Sequence, residues 1–127
     1  NLKNKYDKSP VHTLDEILLI ASLFPENIKC ICAIYEDKVI AGVLLFTSTS
    51  VFHSQYIASN NIGHDLSALD AVFEYSIEAS KNDNKRWFDF GISNENNGLF
   101  LNSGLFTYKS EFGAGSVPHE FYQIDLK

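Results

Sequence analysis

Between Thr13 and Phe24 apolar residues recur at helical spacing, with Leu14, Ile17, Leu18, Ala21 and Phe24 on one face. Thr13, followed three residues on by Glu16, has the form of a capping box, and Pro25 stops the segment. The period then changes. Residues 28–35, IKCICAIY, are β-rich and apolar on both faces, Glu36-Asp37-Lys38 gives a short polar turn, and VIAGVLLFTSTS runs back from Val39. This predicts a hairpin of central strands. A third strand follows in VFHSQYIAS, with Phe52, Ser54, Tyr56 and Ala58 on one side and Val51, His53, Gln55 and Ile57 on the other. It empties into a polar loop, NNIGHD. Leu66, Leu69, Val72, Phe73 and Ile77 then mark an amphipathic helix from about Leu66 to Lys81, with Asp65 or Ser67 as N-cap and Asn82-Asp83-Asn84 as the exit.

RWFDF at 86–90 reads as a short strand, which makes residues 51–90 a strand, helix, strand unit, expected to be a right-handed crossover between parallel strands. GLFLNSGLFTYK at 98–109 reads as a short helix weakened by Gly104, and HEFYQIDL at 119–126 as a last strand. The expected fold is mixed α/β (α+β): a mostly antiparallel mixed sheet with one β-α-β crossover and helices on both faces. At 127 residues, 45% hydrophobic and 20% charged, the chain suits one globular domain, and no internal repeat or linker divides residues 1–127. It has no methionine and opens on Asn-Leu-Lys-Asn-Lys, so a piece of a longer protein is expected, with an N-terminal half preceding it.

Charge and composition remove several classes of function. A formal charge of −6 without a basic stripe argues against DNA as a partner. No apolar run reaches the roughly 18 residues of a membrane span. Cys30 and Cys32, two apart in a strand, diverge too far for an easy bridge and have no second pair, so buried, reduced thiols in a cytoplasmic protein are expected and no metal site is implied. His12, His53, His64 and His119 show no two-ligand helix spacing and read as separate surface or strand histidines. Asp89-Phe90-Gly91 matches the kinase magnesium motif in letters only, because no glycine-rich phosphate loop, strand lysine or catalytic loop precedes it.

The remaining signal is a combination: Asp89-Phe90-Gly91, then Leu101-Asn102-Ser103-Gly104-Leu105, then Lys109-Ser110-Glu111-Phe112-Gly113. Order and closeness together resemble the Gcn5-related N-acetyltransferase (GNAT) superfamily, and within it the FemAB-like bacterial transferases, whose C-terminal part runs from D-F-G through L-N-x-G-L to K-x-x-F-G. The resemblance implies two parallel strands that splay apart, with the acyl donor entering the cleft, here between Ser59 and Phe90-Gly91. It implies no firm cofactor; acyl-CoA or aminoacyl-tRNA would be the donor substrate, and an amine on a small molecule or a cell-envelope precursor the acceptor. One departure is plain. The coenzyme A pattern of Arg/Gln-x-x-Gly-x-Gly/Ala ahead of the crossover helix is replaced by Ser59-Asn60-Asn61-Ile62-Gly63-His64-Asp65, a poor pyrophosphate nest.

Carried onto this chain, the resemblance places Lys109 near the transfer site, where a cation would stabilise developing negative charge; the alternative is a snorkelling or ion-paired lysine. Tyr108 is a candidate proton donor to the leaving group, or a core aromatic beside Phe106. Asp89, a carboxylate among aromatics, needs a partner: it would accept amides from the Ser93–Gly98 loop, pair with Lys109, or act as a general base. Ser59, Asn60, Gly91, Ser93, Asn97 and Asn102 are the candidate substrate-binding positions, with Asn97 and Asn102 also suited to tying the loop and helix. The function expected is acyl or aminoacyl transfer to an amine. The competing expectation is a non-catalytic module that binds an acceptor or packs against a partner half.

Overall fold

The computed structural model describes residues 11–126 and falls into two compact units, one ending at Gly91 and one beginning at Ile92. The first opens with helix α1, Leu14–Leu23, whose start is the anticipated capping box: Glu16 N–H donates to Thr13 Oγ1 at 3.3 Å and Thr13 N–H donates to Glu16 Oε2 at 2.7 Å. Phe24 closes the helix with its N–H on Ile20 O. The chain then forms β1, Ile28–Tyr35, and β2, Lys38–Thr47, joined by Glu36 and Asp37 at φ +48 and +58, the left-handed pair that a two-residue hairpin turn demands. Strand β3 spans Val51–Ser59 and β4 spans Trp87–Asp89, giving a sheet of order β1-β2-β3-β4, antiparallel except for the parallel β3–β4 pair.

The structure corrects two expectations of the sequence: Cys30 and Cys32, expected to be buried, are exposed on β1, and the hairpin lies nearer the sheet edge than expected. The hairpin is not wholly central: among the described residues β1 is an edge strand, and only β2 and β3 have a strand on both sides. In β2, Ile40, Ala41, Val43, Leu45 and Thr47 are buried. Leu45 and Val43 join Phe52 of β3 and Phe73 and Val72 of the crossover helix in a core where every one of these side chains is at most 3% exposed. That helix, α3, spans Ala68–Asn82 and packs on β1, β2 and β3. Its N-cap position falls on Ser67, as one of the two alternatives had it, but Ser67 sits at φ +50 and its side chain makes no capping bond. Phe88 and Phe90 alternate away from Trp87 and Asp89 and meet the Phe73 ring at centroid distances of 6.2 and 5.1 Å. Lys29 Nζ ties β1 to the end of α3 through Asp83 at 2.7 Å.

The segment expected to be the loop NNIGHD is a short helix instead, α2, Asn61–Asp65. Asn60 caps it by accepting Gly63 N–H at 2.8 Å, a local bond that residue-type patterning does not reveal.

The second unit contains a small hairpin, β5, Asn94–Glu95, with β6, Phe100–Leu101, followed by α4, Ser103–Glu111. The helix expected over 98–109 therefore loses its first turn to strand: Asn96 and Asn97 at φ +51 and +55, followed by Gly98 at φ +89, turn the chain back and pair Phe100 with Glu95. The expected strand at 119–126 does not form. Its alternation is real, but among the described residues no neighbour completes a ladder, and Phe121, Tyr122, Ile124 and Leu126 are all more than 80% exposed.

Candidate functional site

The parallel β3–β4 ladder is three pairs long, Val51 with Trp87, Phe52 with Phe88 and His53 with Asp89. Strand β4 stops there, while β3 continues to Ser59 against β2 alone. Gly91 turns the chain at φ +74, and a Cβ there would stand 3.2 Å from Ser54 O, so glycine lets the backbone pass β3 closely as it leaves the sheet. The result is a fork at the carboxyl ends of two parallel strands, the part of such a sheet where ligands collect. A register shift adds to it: Leu44 pairs with Tyr56 and Leu45 with Ser54, leaving Gln55 as the extra residue of a bulge in β3.

At the apex of the fork the structure pairs two side chains that no sequence spacing joined. His53 Nδ1 lies 2.7 Å from Asp89 Oδ2, and Asp89 Oδ1 accepts Gly91 N–H at 2.8 Å. Two of the partners of Asp89 are thus a β3 histidine and the glycine two residues on. His53 Nε2 lies 3.2 Å from the Gln55 amide oxygen. The pair is reachable from water, with His53 36% and Asp89 51% exposed in their side chains. A carboxylate on Nδ1 fixes ring orientation and favours the tautomer whose Nε2 accepts a proton.

Ser59 and Asn60 are engaged in holding the fold. Ser59 is buried, with Oγ near Ile40 O and Asn60 O, and Asn60 N–H donates to Ile40 O at 2.9 Å while its side chain caps α2.

In the second unit, Asn97 is a turn residue, and Asn102 caps α4 by accepting Leu105 N–H at 3.0 Å. Asn102 also donates from Nδ2 to Glu95 Oε1 at 2.9 Å, and its N–H meets Ser93 O at 2.9 Å. Lys109 is buried on α4 and donates from Nζ to Ile92 O at 2.6 Å. Tyr108 packs edge to face on Phe112, ring centroids 5.3 Å apart.

A family model described as an acetyltransferase (GNAT) domain matches residues 7–110, most of the chain. This chain belongs to the GNAT acetyltransferase family. Comparison with curated proteins and with solved structures gave no match. The family confirms the superfamily resemblance and acyl transfer in general, and the mixed sheet with helices on both faces agrees with it. No helix among the described residues is long and apolar enough to cross a membrane.

How a GNAT chain would hold a coenzyme A pyrophosphate can be tested on α2. Its one glycine is turned inward: a Cβ at Gly63 would lie 2.4 Å from both Ile40 O and Ser59 Oγ. Gly63 N–H is already spent on Asn60 Oδ1. The glycine serves close packing on β2, and this segment does not fit a phosphate cradle.

The residue that sequence reasoning missed in this GNAT domain is His53. The clue was available only through strand register: the β-α-β unit made β3 and β4 parallel, but nothing in residue type says that position 53 lies opposite position 89.

Proposed function

We propose that this GNAT domain transfers an acyl or aminoacyl group from an activated donor to an amine on a small molecule or cell-envelope precursor, at the fork between β3 and β4. The observation that carries this reading is the His53–Asp89 pair, 2.7 Å apart, at the apex of that fork. An amine is protonated at neutral pH and cannot attack until it loses a proton. His53 Nε2 takes that proton, and the Asp89 carboxylate offsets the charge that appears on the ring. The amine nitrogen then adds to the carbonyl carbon. The negative charge that moves to oxygen is met by main-chain N–H groups on the β3 edge beyond Ser54, which β4 leaves uncovered. Collapse expels the leaving group, which carries away a proton.

Lys109 and Tyr108 enter the proposal on the sequence resemblance, as a charge-stabilising cation and a proton donor to the leaving group. Gly91 shapes the fork, and Ser93, Asn97 and Asn102 order the backbone of their own unit. Acyl-CoA and aminoacyl-tRNA remain the two donor classes, and no step here depends on a pyrophosphate contact. The test is a thermal-melting screen of the chain with short acyl-CoA esters and aminoacyl donors, paired with mass detection of acylated amines. A donor that raises the melting temperature and yields product supports the reading; a complete panel with neither effect removes it for those donors.

One observation favours a second reading, a module that packs against a partner half of the same protein. Helix α1 buries none of its residues, and Leu14, Leu18, Leu19 and Leu23 are each more than half exposed. An apolar helix face of this kind suits burial against another domain.

A further inference from the structure

A cavity of about 460 Å³ lies between α1 and the open face of the sheet. Its walls are almost wholly apolar: Ile17 and Ala21 come from the helix, and Ile28, Cys30 and Leu44 from β1 and β2. The volume falls within the roughly 300–1,000 Å³ of small-molecule pockets. It exists because α1 stands off the sheet. One wall ends in a polar pair, where His12 N–H donates to Tyr56 Oη at 3.0 Å and His12 Nδ1 lies 2.9 Å from the same oxygen.

The bulge at Gln55 decides which face Tyr56 occupies. Before it, Phe52 and Ser54 are buried, so His53 projects from the opposite face; after it, Tyr56 lines the cavity. Without the extra residue, alternation would put His53 and Tyr56 on opposite sides. The register continues the surface: His53 pairs with Phe46 and Tyr56 with Leu44 on adjacent strands. The His53–Asp89 pair and the cavity therefore share one face of the sheet.

We propose that this cavity binds the alkyl chain of a substrate whose polar end is directed along β3 toward His53. The chain is recognised by burial of methylenes, each worth about 0.8 kcal/mol when fully buried, and selectivity is for length and the absence of charge along the chain. Calling the ligand a substrate rests on the acyl-transfer reading; its binding does not. An alkyl chain can arrive as the acyl group of the donor or as the body of an amine acceptor, and decanoate and decylamine separate these sources.

Cys30 supplies the readout. In the full chain carrying Cys32→Ser, alkylation of Cys30 by N-ethylmaleimide is followed by mass spectrometry with each probe. In the unaltered chain the Cys30 thiol is held above its ordinary range, first by its partial burial and then by Cys32; Cys32→Ser removes the second cause, and rates are compared within that variant at fixed pH. A probe at ten times its dissociation constant is expected to slow labelling by about tenfold, and Ala21→Trp, which fills the cavity, abolishes that protection. Protection by decanoate assigns the cavity to the donor, by decylamine to the acceptor, and by both to the chain itself. No protection by either, or protection that survives Ala21→Trp, overturns the proposal. Labelling needs no turnover, so protection without acyl transfer would remove the reaction and leave the cavity.

Discussion

His53 Nδ1 and Asp89 Oδ2 lie 2.7 Å apart across the last pair of the parallel β3–β4 ladder. The contact costs the fold little, because both side chains are substantially exposed and the core of Phe52, Leu45 and Phe73 lies on the other face. A pair of this kind is therefore separable from stability. Asp89→Asn is expected to leave melting nearly unchanged. It should lower the transfer rate, less than loss of His53 does, because it disturbs the orientation and charge balance of the base rather than removing it. Melting curves and initial rates check this together, and an Asp89→Asn variant with an unaltered rate would separate Asp89 from the chemistry.

Gly63 gives a sharper stability prediction. Its missing Cβ would lie 2.4 Å from Ile40 O, a backbone atom that cannot swing aside. Gly63→Ala is expected to cost about 1–3 kcal/mol or more in urea unfolding, from overpacking alone. A neutral substitution would mean that the segment moves freely, and that its glycine is available for something other than packing.

The capping box predicts a pH effect of known sign. Thr13 N–H and hydroxyl hold the Glu16 carboxyl below its ordinary pKa. A depressed folded-state value means that its contribution is present above the unfolded carboxylate pKa and is lost as pH falls through the folded one. Protection factors of the α1 amides, in which the slower intrinsic exchange in acid is divided out, should therefore fall on acidification, and Glu16→Gln should flatten that dependence. Thr13→Ala removes the other half of the box and is expected to cost about 1 kcal/mol.

Lys109 poses the opposite problem from Asp89, since it is buried and its Nζ bonds to Ile92 O at 2.6 Å. Lys109→Ala strips a charged donor from that carbonyl and is expected to destabilise by about 1–3 kcal/mol. A catalytic role requires more than this: turnover per folded molecule must also fall. A rate that tracks only the folded fraction would assign Lys109 to structure.

Much of the first unit was legible because its signals are local. Thr13 and Glu16 name their own cap, the β-rich apolar runs around the 36–38 turn and the alternation in 51–59 name their strands, and the stripe from Leu66 to Ile77 names the crossover helix. What escaped depended on distance or on partners. The sequence could not place β1 at an edge or put an extra residue at Gln55. Nor could it bring His53 to Asp89, because each of these is a matter of register between strands. Asn60 hid a helix start inside what read as a loop. The C-terminal alternation of Phe121, Gln123 and Asp125 predicted a strand that lacks a ladder, since period alone supplies no neighbour. The candidate site followed the same division: the parallel strands that frame the proposed site came from the order of elements, and its histidine did not.

The most direct measurement of the account is the acyl-transfer rate of His53→Gln beside the unaltered chain, with a donor and amine identified by the melting screen. Glutamine keeps a polar side chain of similar reach but cannot take the proton. The account predicts a loss of about 10²–10⁴ in rate with the melting temperature preserved. A His53→Gln protein that transfers the acyl group at the rate of the unaltered chain would contradict it.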